Sequence, residues 1–438
     1  MLNPVKVGLL GVGTVGGGTL SVLQRNAQEI TRRAGRGIMI THACALNLNR
    51  THPYHTEDMV LTQQLNEVVD NPELDIIVEL IGGTTTAREA TLRAIANGKH
   101  VVTANKALIA KHGNEIFTAA QQQGVVVAFE AAVAGGIPII KAIREGLSAN
   151  EIAWVAGIIN GTSNFILTEM RDKGREFSEV LAEAQARGYA EADSTLDIEG
   201  GDAAHKLAIL ASISFGIPLQ LAKVYTEGIT QISPEDVRYA EELGYVIKHL
   251  GIAKRTSRGV ELRVHPTFIP NTHLMANVNG VMNSVLVQSD ALGQSLYYGQ
   301  GAGALATASA VVADLVDVVR ALTIDPGNRV PHLAFQPDAL SDLPILPIEE
   351  VESAYYLRMQ AYDKIGVMAQ ITRILSECEI SIEAIIQKEP QAGESRVPIV
   401  LLTHLIREKR LNQAIQQIEA LDSIEGHIVR LRLETLSE

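Results

Sequence analysis

Short runs of apolar residues alternate with helical stretches over the first 137 residues. Five runs are almost continuously apolar and of strand length, which predicts strands buried on both faces: VKVGLL, GIMITHACAL, LDIIVELI, KHVVTA and GVVVAFEAAV. Three stretches between them have helical periodicity: TVGGGTLSVLQRNAQEITRRA, TAREATLRAIANG and ALIAKHGNEIFTAAQQQG. Strand and helix in alternation predict an α/β domain over residues 1–137, with a parallel, doubly wound sheet of the Rossmann type.

The pattern changes after Pro138 and indicates further domains. Residues 138–322 combine a long helical section with two later strands, VELRVHPTFI and NSVLVQS, which predicts an α+β domain. Residues 323–353 are rich in proline and are expected to form an extended linker. Residues 354–438 then show the order β, α, β, β, α, β, which predicts a ferredoxin-like domain.

Composition and charge exclude several classes of function. The 438 residues are 46% hydrophobic and 20% charged, the balance of a globular protein, and the length favours two to four domains. A net charge of −13 without a long basic run disfavours nucleic acid or an anionic membrane as partner. No apolar run reaches the roughly 18 residues of a membrane span, and the N-terminus lacks a signal-peptide cleavage site, so a cytoplasmic location is expected. Cys44 and Cys378 have no metal-ligand spacing and are interpreted as core residues.

A glycine motif follows the first predicted strand. In GLLGVGTVGGG, the residues Gly11, Gly13 and Gly16 give G-x-G-x-x-G between a strand and a helix. Such glycines allow a tight turn and a close approach of a pyrophosphate to the helix N-terminus, which predicts dinucleotide binding; a purely structural glycine turn is the alternative. The second strand ends without an acid for a ribose hydroxyl, and Arg50 follows it. This favours NADP as the cofactor. Arg50 then either binds the 2′-phosphate or is a solvated charge in the loop.

Two further strand ends carry candidate binding residues. Lys106 follows KHVVTA at the sheet edge where ligands bind in doubly wound folds, so it either contacts a phosphate or carboxylate or is an exposed first-turn helix residue. Glu130 precedes the glycines of AAVAGGIPII. One carboxylate and freed backbone carbonyls suit a hard cation there, and a hinge between domains is the alternative explanation.

The stretch GYAEADSTLDIEGGDAAHKLAIL joins an acid-rich loop to an apolar helix. Asp202 is a candidate N-cap and stands four residues before Lys206, so the two share a helix face and can pair. Partial burial would let Lys206 exchange a proton near neutral pH; a lysine whose stem packs on the helix while its ammonium group reaches solvent is the alternative. Carbonyl reduction by a nicotinamide needs such a proton donor, and carboxylates such as Glu191 suit a substrate amine. His205 is interpreted as structural.

Together these motifs make the chain resemble the homoserine dehydrogenase family, in its longer form with a C-terminal ACT domain. The resemblance covers essentially the full length and rests on motifs in family order: GVGTVG, TANKALIA, GTSNFILTEM, GYAEADSTLDIEGGDAAHKLAIL and YYGQGAGALATASA. It implies reduction of L-aspartate 4-semialdehyde to L-homoserine in threonine, methionine and isoleucine biosynthesis. The implied cofactor is NADP, with NAD as the alternative.

The resemblance also implies roles for individual residues. Lys206 would be the proton donor with Asp202 beside it, Glu191 would bind the substrate amine, and Gly188 would lie where substrate and cofactor meet. The implied cofactor contacts are Gly11, Gly13, Thr14, Val15, Gly16, Arg50, Lys106, Gly188 and Gly303, and polarisation of the aldehyde is the alternative role of Lys106. The implied ligands of sodium, or of another monovalent cation, are Glu130, Val133, Gly135 and Ile137.

The C-terminal domain implies regulation. ACT ligand loops often read Asp-x-Pro-Gly, and AYDKIGVMAQI keeps Asp363 and Gly366 but has isoleucine in place of proline. We expect L-threonine as an effector held by free backbone donors of this turn, and a homo-oligomer, either dimer or tetramer.

Other functions stay open on the sequence. One is another NADP-linked oxidoreductase with an ACT domain, such as one resembling prephenate dehydrogenase, and another is a non-catalytic amino-acid sensor. A phosphorylating semialdehyde dehydrogenase is disfavoured because it needs a cysteine nucleophile, and Cys44 lies within a predicted strand.

Overall fold

The computed structural model describes residues 3–47, 59–388 and 395–437. The chain divides into two compact units, and both are discontinuous in sequence. The first unit contains residues 1–161, 202–224 and 281–343, and the second contains residues 162–201, 225–280 and 344–438.

The N-terminal part of the first unit is a parallel sheet flanked by helices. Its strands are β1 (Val5–Leu10), β2 (Ile38–Cys44), β3 (Val60–Thr62), β4 (Ile76–Glu79), β5 (His100–Thr103) and β6 (Val127–Ala128). Its helices are α1 (Thr14–Arg25), α2 (Ala27–Ala34), α3 (Leu65–Val69), α4 (Thr86–Ala96) and α5 (Lys106–Gln123). Within the described residues the strand order is β3-β2-β1-β4-β5-β6, and every pairing is parallel. The predicted doubly wound sheet is confirmed.

One helix prediction in this region is wrong. The sequence predicts a single helix from Thr14 to Ala34, whereas α1 ends at Arg25 and α2 begins at Ala27. Asn26 between them has φ −108° and ψ 17°, outside helical values. Asparagine competes with helix geometry through local hydrogen bonds, so it divides the stretch.

Residues 138–322 contain both helices and strands. The helices are α6 (Ile139–Lys141), α7 (Gly161–Lys173), α8 (Phe177–Ala186), α9 (Thr195–Ile198), α10 (Gly201–Phe215), α11 (Pro234–Glu242) and α12 (Ala304–Ala321). The strands are β7 (Ile152–Ile158), β8 (Tyr225–Thr226), β9 (Tyr245–Thr256), β10 (Gly259–Pro270), β11 (Met282–Ser289) and β12 (Gly293–Gln300). In the first unit, β11 pairs antiparallel with both β7 and β12. In the second unit, β9 and β10 form an antiparallel hairpin.

The C-terminal residues have the predicted ferredoxin-like order. The elements are β13 (Glu352–Tyr362), α13 (Val367–Glu377), β14 (Ile382–Gln387), β15 (Arg396–Thr403), β16 (Ile406–Arg407), α14 (Glu408–Glu419) and β17 (Ile424–Leu433). The strands are arranged β17-β13-β15-β14, and α13 and α14 cover an apolar core that includes Leu357, Ile371 and Leu411. The prediction of a ferredoxin-like domain is confirmed.

This domain is joined to the rest of the second unit by strand pairing and ion pairs. Strand β17 pairs in parallel with β10, where Thr267 faces Arg432. Arg358 of β13 donates to Asp236 of α11, with Nε 2.6 Å from Oδ1. Leu346, from the proline-rich segment, donates its backbone N–H to Val260 of β10 at 2.8 Å.

The turn before α13 differs in part from the sequence expectation. The backbone N–H of Asp363 donates to Ser395, and that of Lys364 donates to Tyr362. The expectation of free backbone donors is therefore wrong at these two positions. Gly366 has φ 91°, a left-handed conformation that favours glycine, and precedes the helix.

Over the described parts of the chain, every helix falls short of the length and apolar character needed to cross a membrane.

Candidate active site

Helix α10 carries a buried ion pair. Lys206 donates from Nζ to Oδ2 of Asp202 at 2.7 Å, one turn earlier on the same face. The side chains are 10% and 4% exposed. The pairing expected from the spacing is therefore present. The helix begins at Gly201, however, so Asp202 lies in the first turn, and its prediction as the N-cap is wrong.

The loop after β7 supplies further partners to this pair. Lys206 Nζ donates to the carbonyl oxygen of Ile159 at 2.6 Å, and Asn160 Nδ2 donates to Asp202 Oδ2 at 2.9 Å. Both residues follow the end of β7, which directs them toward α10. Sequence reasoning missed these two positions. The available signal was the polar Asn160 directly after an apolar run.

Lys106 belongs to the same cluster. Asn105 caps α5, because its Oδ1 accepts the backbone N–H of Leu108, and its Nδ2 donates to the Gly83 carbonyl. Lys106 is the first residue of the helix, and its Nζ lies 2.7 Å from Asp202 Oδ1. At 38% exposure it is a partly accessible first-turn lysine that nevertheless contacts a buried carboxylate. The structure thus brings Lys106, Asp202 and Lys206 together.

The charges of the cluster determine the protonation state of the Asp202 carboxyl group. Burial alone would raise the pKa of the Asp202 carboxyl, but the charges and hydrogen bonds of Lys206 and Lys106 lower it below its ordinary value. The carboxylate is therefore ionised at neutral pH. Two ammonium groups share this one carboxylate, so the cluster favours a further negative charge nearby.

The glycine motif forms a turn with open space at its centre. Gly11 has φ 96°, and a Cβ there would lie 2.6 Å from the carbonyl oxygen of Leu80. A Cβ on Gly16 would lie 2.1 Å from the carbonyl oxygen of Gly11, whereas one on Gly13 would meet no atom within 4 Å. Two of the glycines therefore permit tight packing and the third permits close approach. Thr14 and Val15 open the 12-residue helix α1, whose N-terminus favours an anion.

Glu79 supports the loop beside this turn, and sequence reasoning also missed it. The carboxylate is fully buried at the end of β4. Oε1 accepts the backbone N–H of Ile81 at 3.0 Å, and Oε2 accepts the Thr103 hydroxyl at 2.7 Å. Burial raises the pKa of Glu79. Its position in a continuous apolar run was the signal, because a carboxylate there must have buried partners.

Gly303 stands at the start of α12, next to α1. Its φ is 116°, and no atom lies within 4 Å of a Cβ built there. The two helices meet closely, because a Cβ on Gly18 of α1 would lie 2.5 Å from the carbonyl oxygen of Ala304. The structure therefore places Gly303 beside the helix that follows the glycine motif.

Glu130 anchors a buried turn. Its carboxylate accepts the backbone N–H groups of Ile140 at 2.9 Å and Lys141 at 2.8 Å, and its own N–H donates to Asp314. Burial and the charge of Glu130 raise the pKa of Asp314 to about 8. Each Glu130 oxygen keeps a lone pair beyond these bonds.

The other positions implied as cation ligands lie in this turn. Val133, Gly135 and Ile137 are buried, and Gly135 has φ 50°. A carboxylate with backbone carbonyls is the kind of oxygen donor set that suits a hard cation, and the Ile137 carbonyl also accepts the N–H of Ile139 at 2.8 Å. Among the described residues, no group of three or more His, Cys, Asp or Glu side chains has the arrangement of a metal site.

The acid-rich loop lies in the second unit. Gly188 has φ 73° and follows α8, and Glu191 is exposed. The loop is held by backbone contacts: Thr162 donates to the Tyr189 carbonyl at 2.6 Å, and Ser163 donates to the Asp197 carbonyl at 3.0 Å. The local structure thus orders the loop while leaving Glu191 accessible.

Arg50 lies outside the described residues. Cys44 is buried at the end of β2, and burial raises the pKa of its thiol, which opposes a role as nucleophile.

Comparisons with known proteins agree over the whole chain. The family described as "Homoserine dehydrogenase, NAD binding domain" matches residues 11–130, "Homoserine dehydrogenase" matches residues 138–316, and "ACT domain" matches residues 355–423. The homoserine dehydrogenase of Pseudomonas aeruginosa is 65% identical over 437 residues and that of Neisseria gonorrhoeae 54% identical, each alignment covering 100% of both chains.

Solved structures give the same result. The crystal structure of a homoserine dehydrogenase from Thiobacillus denitrificans is 64% identical, with a TM-score of 0.95 and 99% of each chain covered. That of S. aureus homoserine dehydrogenase at pH7.5 is 30% identical, with a TM-score of 0.76, 99% of this chain covered and 100% of that chain. The chain therefore belongs to the homoserine dehydrogenase family, NAD(P)-dependent oxidoreductases that act on a CH–OH group.

Proposed function

We propose that the protein reduces the aldehyde of L-aspartate 4-semialdehyde to the alcohol of L-homoserine, with Lys206 as the proton donor. The main supporting observation is the cluster formed by the buried Lys206 and Asp202 and the partly exposed Lys106, in which both Lys–Asp distances are 2.7 Å. The cluster lies in the same unit as the glycine turn. A cofactor bound at that turn would supply the hydride.

The cluster suits this reaction electrostatically. Hydride addition to a carbonyl places negative charge on the oxygen, and the Lys206 ammonium can donate a proton to it as the C–H bond forms. Asp202 and the Ile159 carbonyl hold the ammonium group in place, which limits reorganisation during the reaction. Lys106 adds a second positive charge that favours the developing anion, or contacts the cofactor.

The cofactor site is proposed at the turn formed by Gly11, Gly13 and Gly16. The open space at Gly13 and the helix N-terminus at Thr14 suit a pyrophosphate. Thr14, Val15, Gly188 and Gly303 are the further proposed contacts. We assign NADP as the preferred cofactor, with Arg50 on the 2′-phosphate, because no acid follows β2 in the stretch ALNLNR.

The substrate amine is assigned to Glu191. Its carboxylate is exposed, and a cationic amine needs a counter-charge to bind tightly. Gly188 lies three residues earlier at a left-handed turn, where the backbone can approach a ligand.

A monovalent cation, with sodium as the first choice, is assigned to Glu130, Val133, Gly135 and Ile137. The support is that Glu130 is a buried carboxylate and that the three other residues are buried and carry backbone carbonyls, the oxygen ligands that hard cations prefer. The role would be structural, because the cation would fix the turn that precedes α6.

The proposal also covers the regulation of the enzyme by an effector and its oligomeric state. The C-terminal ACT domain is assigned as the site of L-threonine, an end product of the pathway that also leads to methionine and isoleucine. The full protein is assigned as a homo-oligomer, a dimer or a tetramer.

A direct assay tests the central proposal. The purified protein is mixed with L-aspartate 4-semialdehyde and NADPH, and the loss of reduced-nicotinamide absorbance is followed. We expect turnover in the wild type and a loss of about 10²–10⁴ in kcat for Lys206→Ala, with NADPH binding retained. Lys111→Ala, an exposed lysine on α5, is the matched control and should behave as wild type. Near-normal turnover of Lys206→Ala would remove Lys206 as the donor.

A further inference from the structure

A buried ion-pair cluster joins the ACT domain to the segment after β8. Arg432 of β17 is fully buried and contacts Glu227 through two nitrogens, at 2.8 and 3.2 Å. Arg432 also donates from Nε to Glu408 at 2.9 Å, and Arg430 donates to Glu227 at 3.0 Å. Removing one member of such a cluster leaves a buried charge uncompensated. Glu227 is therefore held firmly by two arginines of the last strand.

The residues that follow Glu227 contact the end of the acid-rich loop directly. A Cβ on Gly228 would lie 2.5 Å from Oε2 of Glu199 and 2.6 Å from the Ile198 carbonyl, so the two backbones are in close contact. Ile229 donates its N–H to the Ile198 carbonyl at 2.8 Å, and the Thr230 hydroxyl donates to Glu199 at 3.2 Å. A shift of residues 228–230 must therefore shift Ile198 and Glu199.

We name residues 191–199 the acidic segment. Hydrogen bonds link its parts from Asp193 to Glu199, because Asp193 accepts the N–H of Thr195 and the N–H of Glu199 donates to the Thr195 carbonyl, and Glu191 precedes Asp193 by two residues. Glu199, the last residue of the segment, lines a cavity of about 670 Å³ that is also lined by Asn412 and Arg430 of the ACT domain.

We propose that Glu227 and Arg432 form a positioning pair that holds the acidic segment in place for binding the substrate amine. The ACT domain then sets the affinity for the amino-acid substrate through this pair, and it does so without contacting the substrate. This inference rests on the proposed role of Glu191. Glu227 is then a positioning residue, because Glu227 acts on the substrate site through residues 228–230.

The experiment compares Glu227→Gln with Glu235→Gln in the full chain. Glutamine keeps the shape of residue 227 and removes its charge. We expect a rise of about tenfold in the KM for L-homoserine, with kcat and the KM for NADP within about twofold of wild type. Glu235 is the matched control: it also contacts an arginine of the ACT domain, Arg358, at 2.9 Å, but on α11 and outside the acidic segment. Equal effects of the two variants would refute the pair as a positioning device.

Two further variants test the contact between residues 228–230 and the acidic segment. Gly228→Ala places a methyl group against Glu199 and Ile198 and should raise the same KM, whatever the state of the ion pair. Thr230→Val removes the hydrogen bond from the Thr230 hydroxyl to Glu199 and should raise the KM for L-homoserine about threefold. This variant replaces Glu227→Gln as the test if Glu227→Gln is too unstable to assay. An increase in KM for Gly228→Ala with none for Glu227→Gln would overturn the proposal.

Glu191→Gln separates this inference from the assignment on which it rests. If Glu191→Gln raises the KM for L-homoserine and Glu227→Gln does not, the amine site is supported and the positioning pair is refuted. If Glu191→Gln leaves the KM unchanged while Glu227→Gln and Gly228→Ala raise it, the pair is supported and the amine is bound by another residue. Melting temperatures of all variants identify a general loss of folding, which would lower the apparent kcat through a smaller active fraction and leave both KM values unchanged.

Discussion

Lys206 and Asp202 form a 2.7 Å ion pair across one turn of α10, with each side chain no more than one-tenth exposed. The second carboxylate oxygen of Asp202 contacts Lys106, so a single buried anion orients two cations. The consequence is that Asp202 controls both the position and the charge of the proposed proton donor.

Replacing Asp202 by asparagine should change the pH dependence as well as the rate. The variant keeps the side-chain shape but removes the negative charge that favours the ammonium form of Lys206. We expect kcat for aldehyde reduction to fall about 10²-fold or more, and its decline at alkaline pH to begin at lower pH than in wild type. Steady-state rates across pH measure both effects. Asp70→Asn, which breaks an exposed pair with Arg93, is the control, and a wild-type pH profile in Asp202→Asn would contradict the expectation.

We expect cofactor choice to depend on Arg50, which lies outside the described part of the chain. Arg50→Ala should lower kcat/KM for NADPH and leave that for NADH little changed, because a 2′-phosphate is present only in NADPH. A charge-assisted contact of this kind is worth up to about 3 kcal/mol, which is roughly a hundredfold in kcat/KM. Arg36→Ala, a partly exposed arginine just before β2, serves as control. Equal use of both cofactors by the wild type would refute the preference, and an unchanged ratio in Arg50→Ala would assign the contact to another residue.

Threonine should inhibit the full chain through the turn before α13. The coupling expected for an effector is about 1–3 kcal/mol, a change of roughly 5–150-fold in apparent affinity. Gly366→Ala strains that turn and should weaken the threonine response. Gly426→Ala introduces comparable strain at another left-handed glycine of the same domain, φ 71° against 91°, and should retain the response. A full chain that ignores threonine would exclude it as the effector.

The folded state should lose stability in mild acid through His100. Its Nδ1 accepts the backbone N–H of Val126 at 2.9 Å, which requires the neutral ring. Burial, with a smaller effect of Arg329, lowers the pKa of His100 to about 4. The unfolded chain therefore binds more protons between pH 6.5 and 4, so the contribution to stability is present above pH 6.5 and is lost as the pH falls through this window. The loss amounts to about 3 kcal/mol at most.

Urea unfolding at a series of pH values measures this effect. His100→Asn keeps an acceptor that does not titrate, so its stability should depend less on pH between 7 and 5. His427→Asn, at a side chain that is 97% exposed, should retain the wild-type dependence. Identical pH dependence in all three proteins would exclude His100 as the cause.

Local patterns predicted much of the fold. The strand and helix runs of residues 1–137 and the β, α, β, β, α, β order of the last domain follow from hydrophobic periodicity, which is a property of neighbouring residues. The pairing of Asp202 with Lys206 is equally local, because it depends only on a spacing of four residues in a helix.

Contacts between distant parts of the chain were not predictable in this way. The Ile159 carbonyl that holds Lys206 lies 47 residues away in sequence. Strand β9 was not predicted, because polar residues at buried positions interrupt its apolar pattern. One of these is Lys248, which is 1% exposed and donates to the Val278 carbonyl at 2.6 Å. Its burial depends on acceptors that no local pattern reveals.

The Glu227–Arg432 pair also affects the folding of the nascent chain. The two residues are 205 positions apart, so at about 5–20 residues per second a ribosome needs roughly 10–40 s between them. During that time β10 has not yet gained its parallel neighbour β17, and Glu227 has no arginine partner from that strand. An unpaired strand edge promotes aggregation, so Thr267 and Phe268 of β10 present such an edge until β17 is synthesised.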